Sequence, residues 1–243
     1  MNVMIIGGTS GIGLALARHY LGQGARVGIC GRDLTRVDPA LRQQAALHAF
    51  EFDIADRAAV TTAVDAFATG GLDLLIVSAG CYADAAALAA DPALGLRMQA
   101  TNVHGLTHSF DAGAAAMRAR GTGRLVAIAS IAGLIRDYPG GSLYSANKRA
   151  VIALCDVYRK TLAPFGIGVT VVVPGYVDTA RLRELNGGDA RAKPILMSEE
   201  TAVRHISTAI EAGKAVHVFP WQLHALVRLF NAMPLGLRRL RRK

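Results

Sequence analysis

Tyr144 and Lys148 stand four residues apart in the run Tyr144-Ser145-Ala146-Asn147-Lys148, and Ser130 lies upstream of both. Four residues make about one helical turn, so a helix here puts the phenol and the ammonium on one face. Reducing a carbonyl delivers hydride to carbon and needs a proton donor within hydrogen-bond reach of the oxygen. A free tyrosine is too weak an acid to ionise near neutrality, and a neighbouring positive charge favours the phenolate and lowers its pKa. The pair is therefore expected to act as a unit, with Tyr144 exchanging the proton and Lys148 tuning it. Ser130 closes an apolar run that starts at Arg124, which predicts a strand ending at the edge of a sheet where ligands bind. From that edge its hydroxyl could orient a carbonyl and stabilise developing charge.

Short apolar runs alternate along the chain with longer amphipathic segments, the pattern of repeated βαβ units. Strands are expected over 2–6, 26–30, 47–52, 72–77, 124–129, 167–173 and 215–218, and helices over 11–23, 56–68, 93–120, 142–163 and 198–212. The fold class is α/β: a doubly wound parallel sheet of about seven strands with helices on both faces. With 243 residues there is room for one such domain. It is expected over 1–219, with a C-terminal amphipathic basic segment over 220–243. The longest irregular stretch, 175–197, contains Gly187-Gly188 and Pro194 and is expected to be a substrate lid.

Gly7-Gly8-Thr9-Ser10-Gly11-Ile12-Gly13 follows the first strand and opens the first helix. That is the context a dinucleotide turn needs: Gly7 for the tight turn, Gly11 for backbone approach to a pyrophosphate, Gly13 for close helix packing. Free amides at the helix start then face the phosphates. Gly31-Arg32 follows the second strand, where an acid would select NAD and a guanidinium can pair with the 2′-phosphate of NADP. NADP(H) is therefore the preferred cofactor, with NAD(H) second. Asp33, next in line, is read instead as a cap for the helical segment after it.

The glycine spacing GxxxGxG, with Ser130, Tyr144 and Lys148 in order, resembles the short-chain dehydrogenase/reductase family, whose turn reads TGxxxGIG; Ile6 stands at the threonine. The likeness runs through nearly the whole chain and implies a Rossmann-like fold. Phe52-Asp53-Ile54 matches the segment whose Asp holds the adenine, and Ser78-Ala79-Gly80 matches an Asn-Ala-Gly turn. Pro174-Gly175-Tyr176-Val177-Asp178-Thr179 matches the PGxxxT segment beside the nicotinamide. The resemblance implies a catalytic set of Asn102, Ser130, Tyr144 and Lys148, with Asn102 anchoring a proton path. It implies a cofactor site of Gly7, Thr9, Ser10, Gly11, Ile12, Gly13, Arg32, Asp53, Ile54, Ala79, Gly80, Val177 and Thr179, together with Tyr144 and Lys148. An NADP(H)-dependent interconversion of ketone or aldehyde and alcohol is the activity implied, in a homodimer or homotetramer joined through the helices bearing Asn102 and Tyr144. The rival reading is a dinucleotide-sensing or scaffold protein of the same fold, whose mark would be a damaged tetrad.

Cys30, Cys81 and Cys155 are widely spaced and form no metal-binding pattern, as expected of reduced thiols in a cytoplasmic protein. Burial is expected for Cys30 and Cys155, while Cys81 could line a pocket. His104 and His108 lack a third ligand, so no metal is expected, and Tyr138 has Ser142 rather than a lysine four residues on. The chain starts in what reads as a strand and carries no apolar run long enough to cross a membrane.

Net charge is +9, of which Arg238, Arg239, Arg241, Arg242 and Lys243 supply five, so the basicity belongs mainly to the tail. With no recognition module, nucleic acid is not an expected partner. From Trp221 onward Leu223, Leu226, Val227 and Phe230 recur at helical spacing. Packing of that helix on its own domain or a sister subunit is expected first, and peripheral membrane contact second. Leu182, Leu185, Ile195, Leu196 and Met197 in the lid point to a hydrophobic small-molecule substrate or to simple closure of the core.

Overall fold

Val, Ile and Leu fill most positions of the central strands, and in the computed structural model these lie buried in a seven-stranded sheet, all of whose pairings are parallel, between partly exposed edge strands. The structure describes residues 1–136 and 142–233; Tyr138 and the basic tail 234–243 lie outside them. The strands are β1 Asn2–Ile6, β2 Arg26–Gly31, β3 Leu47–Glu51, β4 Leu74–Val77, β5 Gly123–Ile128, β6 Ile167–Pro174 and β7 Val216–Phe219. The helices are α1 Gly11–Gly22, α2 Pro39–Arg42, α3 Arg57–Ala68, α4 Ala85–Ala90, α5 Ala93–Gln99, α6 Gly105–Arg118, α7 Leu143–Leu162, α8 Ala180–Glu184, α9 Glu199–Glu211 and α10 Trp221–Ala232.

Alternation along each strand sends side chains to opposite faces of the sheet. In β1, Met4 and Ile6 enter a core with Phe67 of α3, Phe110 of α6 and Cys155 of α7. Val3 and Ile5 enter a second core with Leu16 and Tyr20 of α1 and Ile206 of α9. The result is a Rossmann-like sandwich of helices on both faces of the sheet.

Strand order is β3-β2-β1-β4-β5-β6-β7, which reverses direction between β1 and β4. In open α/β sheets a ligand crevice forms beyond the carboxyl ends of the strands at such a reversal. The turn after β1 and the loop after β4 meet there: Ser78 and Ala79 both donate their amides to the carbonyl of Ile6, at 2.8 and 2.9 Å.

Two expectations need correction, and two short helices are additions to them. The helix expected over 93–120 is interrupted by a π turn, Ala100–His104, which widens the spiral and carries Asn102 into the protein. The stretch 175–197 is not all loop, because Thr179 caps α8 by accepting the Leu182 amide at 3.1 Å, and Val177 bridges to Met197 in parallel. The short helices α2 and α4 follow Asp38 and Asp84, whose carboxylates cap them, in stretches too brief for a hydrophobic period to show.

Candidate active site and dinucleotide crevice

Tyr144 is set in the first turn of α7 by a reciprocal cap. Ser142 Oγ accepts the Ser145 amide at 3.1 Å, and Ser145 Oγ accepts the Ser142 amide at 2.7 Å. One turn on, Lys148 is buried and its Nζ donates to the carbonyl of Ile128, the last residue of β5, at 3.0 Å. Two residues after Ile128, Ser130 has extended backbone and caps the 3₁₀ turn Ile131–Leu134, its Oγ accepting the Ala132 amide at 3.2 Å. The Ser130 side chain also stands close enough to Tyr144 to lower the pKa of its phenol. The carboxyl end of β5 thus holds the serine and the lysine, and α7 brings the tyrosine to them.

Burial is the largest influence on the Tyr144 phenol and raises its pKa, while the Ser130 side chain pulls it down. Lys148 Nζ stands 5.9 Å from the Tyr144 ring centre. Ser130 thus acts on the phenol from its own strand end, and the Lys148 ammonium is turned toward the Ile128 carbonyl. Burial also acts on Lys148 itself, pulling its pKa down to about 8 against a smaller opposing effect of the Cys81 thiol. A cation is held there at a cost, partly offset by the Ile128 carbonyl.

Asn102, buried in the π turn, grips the loop after β4. Its Oδ1 accepts the Cys81 amide and its Nδ2 donates to the Cys81 carbonyl, both at 2.9 Å. A Cβ placed on Gly80 would lie 3.0 Å from Asn102 Oδ1 and 3.4 Å from Lys148 Nζ. Gly80 therefore keeps open the space where asparagine and lysine converge.

The turn after β1 fits a dinucleotide because its glycines bring backbone against backbone and put no side chain between the start of α1 and a ligand. A Cβ on Gly13 would sit 2.1 Å from the Gly7 carbonyl oxygen, and one on Gly7 would sit 2.4 Å from the Ala79 nitrogen. A Cβ on Gly11, at φ +50°, would come 3.4 Å from the Thr179 methyl, so the turn and the PGxxxT segment lie side by side. Ser10 precedes α1 in extended conformation and its side chain makes no capping bond to the helix. Thr9 is buried against Gly31, where a Cβ would come 2.5 Å from its hydroxyl, and Ile12 packs partly into the core.

At the far end of the crevice Arg32 reaches to 3.9 Å from Asp53, both largely exposed. Asp53 also folds its own loop by accepting the Ala55 amide at 2.9 Å. Ile54 turns inward instead, its side chain filling the space that Gly105 leaves open in α6. Asp33 caps the 3₁₀ turn Leu34–Arg36 through the Thr35 amide at 2.9 Å, so it is occupied locally as expected, and Arg32 pairs with Asp53 instead.

Two neighbours of the site had no legible sign in the sequence. Tyr82 packs edge-on against Tyr144, ring centres 5.1 Å apart at 78°. It follows Cys81 in a loop without period, so nothing local placed it. Asn147 is buried next to Lys148 with its Nδ2 unpaired among the described residues. Cys30 and Cys155 are fully buried, and Cys81 is partly buried beside Lys148, which sits close enough to act on its thiol.

Residues 1–190 match the family model for short chain dehydrogenase. An uncharacterized oxidoreductase of Myxococcus xanthus is 32% identical over 95% of this chain and 92% of its own length. Dehydrogenase/reductase SDR family member 7B of Bos taurus is 34% identical over 73% of this chain, a stretch spanning 58% of that longer protein. A short chain dehydrogenase from Burkholderia cenocepacia, solved in complex with NADP, superposes with a TM-score of 0.83 over 99% of this chain and 96% of its own, at 23% identity. One from Sphingobium yanoikuyae, in complex with NADPH, gives 0.77 over 97% and 96% at 25% identity.

Proposed function

Because this chain belongs to the short-chain dehydrogenase family of NAD(P)-dependent oxidoreductases, we propose that it interconverts a ketone or aldehyde with an alcohol, using NADP(H) in preference to NAD(H). The observation that carries this reading is the convergence of Ser130, Tyr144, Lys148 and Asn102 at the carboxyl edge of the sheet. Galactitol 2-dehydrogenase of Cereibacter sphaeroides, 34% identical over 72% of this chain and 70% of its own, has a name that fits alcohol oxidation.

A nicotinamide bound in the crevice supplies or accepts the hydride. Gly7, Gly11 and Gly13 give a pyrophosphate access to the start of α1, with Thr9, Ser10 and Ile12 lining the turn. Asp53, Ile54, Ala79 and Gly80 border the adenine and ribose side, Val177 and Thr179 the nicotinamide side. Arg32 offers a guanidinium to a 2′-phosphate, exchanging its exposed contact with Asp53 for a stronger charge-assisted one. The NADP and NADPH complexes of the structural neighbours agree with that preference.

Ser130 holds the substrate oxygen through the hydroxyl that now meets Tyr144. In reduction Tyr144 gives its proton to that oxygen as hydride reaches the carbon, and the resulting phenolate is stabilised by Ser130 and by protonated Lys148. Lys148, with a pKa near 8, is able to return a proton at physiological pH and to contact the ribose. Asn102 keeps the lysine's neighbourhood polar and the Gly80-Cys81 backbone in place. The catalytic domain over 1–219 and tail over 220–243, with assembly as a dimer or tetramer through α6 and α7, accompany this reading.

The test is a titration with NADPH and NADH followed by a panel of ketones and aldehydes, run on the wild type and on Tyr144→Phe. Tighter NADPH binding, carbonyl-dependent NADPH oxidation, and loss of turnover with retained binding in the variant are expected. Turnover retained by Tyr144→Phe would refute the role of the phenol.

A further inference from the structure

The last described helix, α10, leaves β7 at the carboxyl edge of the sheet and has two faces of opposite fate. Leu223 and Val227 are buried against Ile131, Leu134, Ile135, Tyr176 and Val218. Asn231 fastens the same face: its Nδ2 donates to the Leu134 carbonyl at 2.7 Å and its Oδ1 accepts the Arg136 amide at 3.1 Å. The helix is therefore already docked on its own domain. Its outer face is nonetheless apolar. Trp221 is 72% exposed, Leu226 55% and Leu229 65%. At 100° per residue they fall within one arc that also holds Ala225, interrupted only by Gln222. Solvated helix faces are normally charged, and three large exposed apolar side chains in one helix are uncommon on a monomer.

The sequence that follows α10 points to an occupant. The ten residues after Met233 carry Arg238, Arg239, Arg241, Arg242 and Lys243 with no acid among them, interleaved with Leu235, Leu237 and Leu240. Arg228 adds a further exposed cation on α10. An apolar arc bearing Trp and Leu next to a block of cations is what an anionic bilayer surface binds, the ring and aliphatic chains entering the headgroup boundary while the cations meet lipid phosphates and carboxylates. A protein surface would complement the apolar arc but gives no reason for five cations in six residues. Among the described residues no helix is long and apolar enough to cross a membrane, so the contact would lie along the surface. We propose that the outer face of α10, with Trp221, Leu226 and Leu229, is a docking surface for anionic lipid bilayers, to whose attraction the cations that follow it in sequence add. Because α10 packs on the turn after Ser130, the lipid surface then lies about one helix diameter, roughly 10 Å, from the candidate site. This inference does not depend on the proposed reaction, and its test reads binding rather than turnover.

Trp221 is the sole tryptophan, so its emission reports on this face alone. The full chain would be mixed with vesicles of phosphatidylcholine containing phosphatidylserine, and with vesicles of phosphatidylcholine only, for flotation and fluorescence. Flotation with the anionic vesicles and a blue shift of Trp221 are expected, both weakened at roughly 0.5 M salt, where the Debye length falls to a few ångströms. Leu226→Gln with Leu229→Gln, and separately the five tail cations changed to Gln, should each lower the bound fraction about tenfold or more. Circular dichroism and melting would show both variants folded, since every changed side chain of α10 is exposed. Failure of the wild type to float, or binding untouched by the α10 changes, would overturn the proposal. So would a two-chain mass with Trp221 already blue-shifted in buffer, which would assign the face to a second copy.

Discussion

Asn102 holds Cys81 by both of its backbone groups, accepting the amide and donating to the carbonyl at 2.9 Å each. A side-chain amide does both from two separate atoms spaced to match a peptide's own amide and carbonyl, whereas a carboxylate only accepts and an aliphatic group does neither. The grip spans the π turn and the loop after β4, and that loop carries Gly80 toward Lys148 and Tyr82 toward Tyr144.

Asn102→Ala would leave a buried amide and a buried carbonyl unpaired and should cost about 2 kcal/mol or more of stability. Asn102→Asp keeps the acceptor for the Cys81 amide and loses the donor. Its carboxylate would stand near Lys148 and raise the lysine pKa, so the alkaline limb of the pH–rate profile should move up. Thermal melting and a pH–rate profile check the pair of outcomes. An unmoved profile in the aspartate variant would reduce Asn102 to a structural brace.

Lys148 couples folding to pH. Its pKa is about 8 in the folded chain, against roughly 10.4 for an unperturbed lysine. Between those values the unfolded chain binds more protons than the folded one, so stability rises with pH across that window. Below about pH 8 both states are protonated and the full penalty of the buried charge is present. Lys148→Met should therefore melt higher than wild type at pH 7, with the gap narrowing as pH climbs toward 10, while turnover is lost. Melting curves at several pH values decide it; a gap that widens with pH would reverse the assignment.

Order along the chain was legible because parallel strands buried on both faces read as continuous apolar runs, and glycine turns bound them. The seven strands fall within two residues of where the runs place them. Ser130, Tyr144 and Lys148 were legible for a different reason: a strand end and a helical turn each put a side chain in a known direction. The π turn at Asn102 was not, since one extra residue in a helix changes no composition or period. Tyr82 was hidden because its partner is 62 residues away in sequence, and the outer face of α10 because the same leucines would read identically if buried. Spacing brings Lys148 onto the same face as Tyr144 and leaves open where the ammonium points, which is to the Ile128 carbonyl.

Gly13 tests the cradle without touching chemistry. An alanine there would press its methyl to 2.1 Å from the Gly7 carbonyl oxygen, a backbone atom with nowhere to go. Gly13→Ala should lose about 1–3 kcal/mol of stability and weaken NADPH binding, as α1 backs away from β1. Calorimetric titration and melting would show both losses; tight binding with unchanged melting would mean the turn relaxes freely.

Arg32 separates the two cofactors. Arg32→Glu would set a carboxylate beside Asp53 and against a 2′-phosphate, whereas the same carboxylate could accept hydrogen bonds from the ribose hydroxyls of NAD. NADPH binding should weaken by about 1.4 kcal/mol or more, which is tenfold, and NADH binding should change little or improve. Equal weakening of both would place Arg32 outside the cofactor contacts.

Tyr82 meets Tyr144 edge to face, which contributes about 0.5–1.5 kcal/mol beyond its buried area. Tyr82 is 40% exposed, so it meets the phenol on one side and solvent on another. It also helps to raise the Tyr144 pKa, after burial. Tyr82→Phe keeps the ring and should leave KM for a bulky apolar ketone nearly unchanged. Tyr82→Ala removes the wall and should raise KM by roughly tenfold, with a smaller change in kcat. Steady-state kinetics of the two variants against the same ketone distinguish the roles. Equal loss of kcat in both would place the Tyr82 hydroxyl in proton transfer, whereas a raised KM in the alanine variant alone assigns the ring to recognition of the substrate's apolar part.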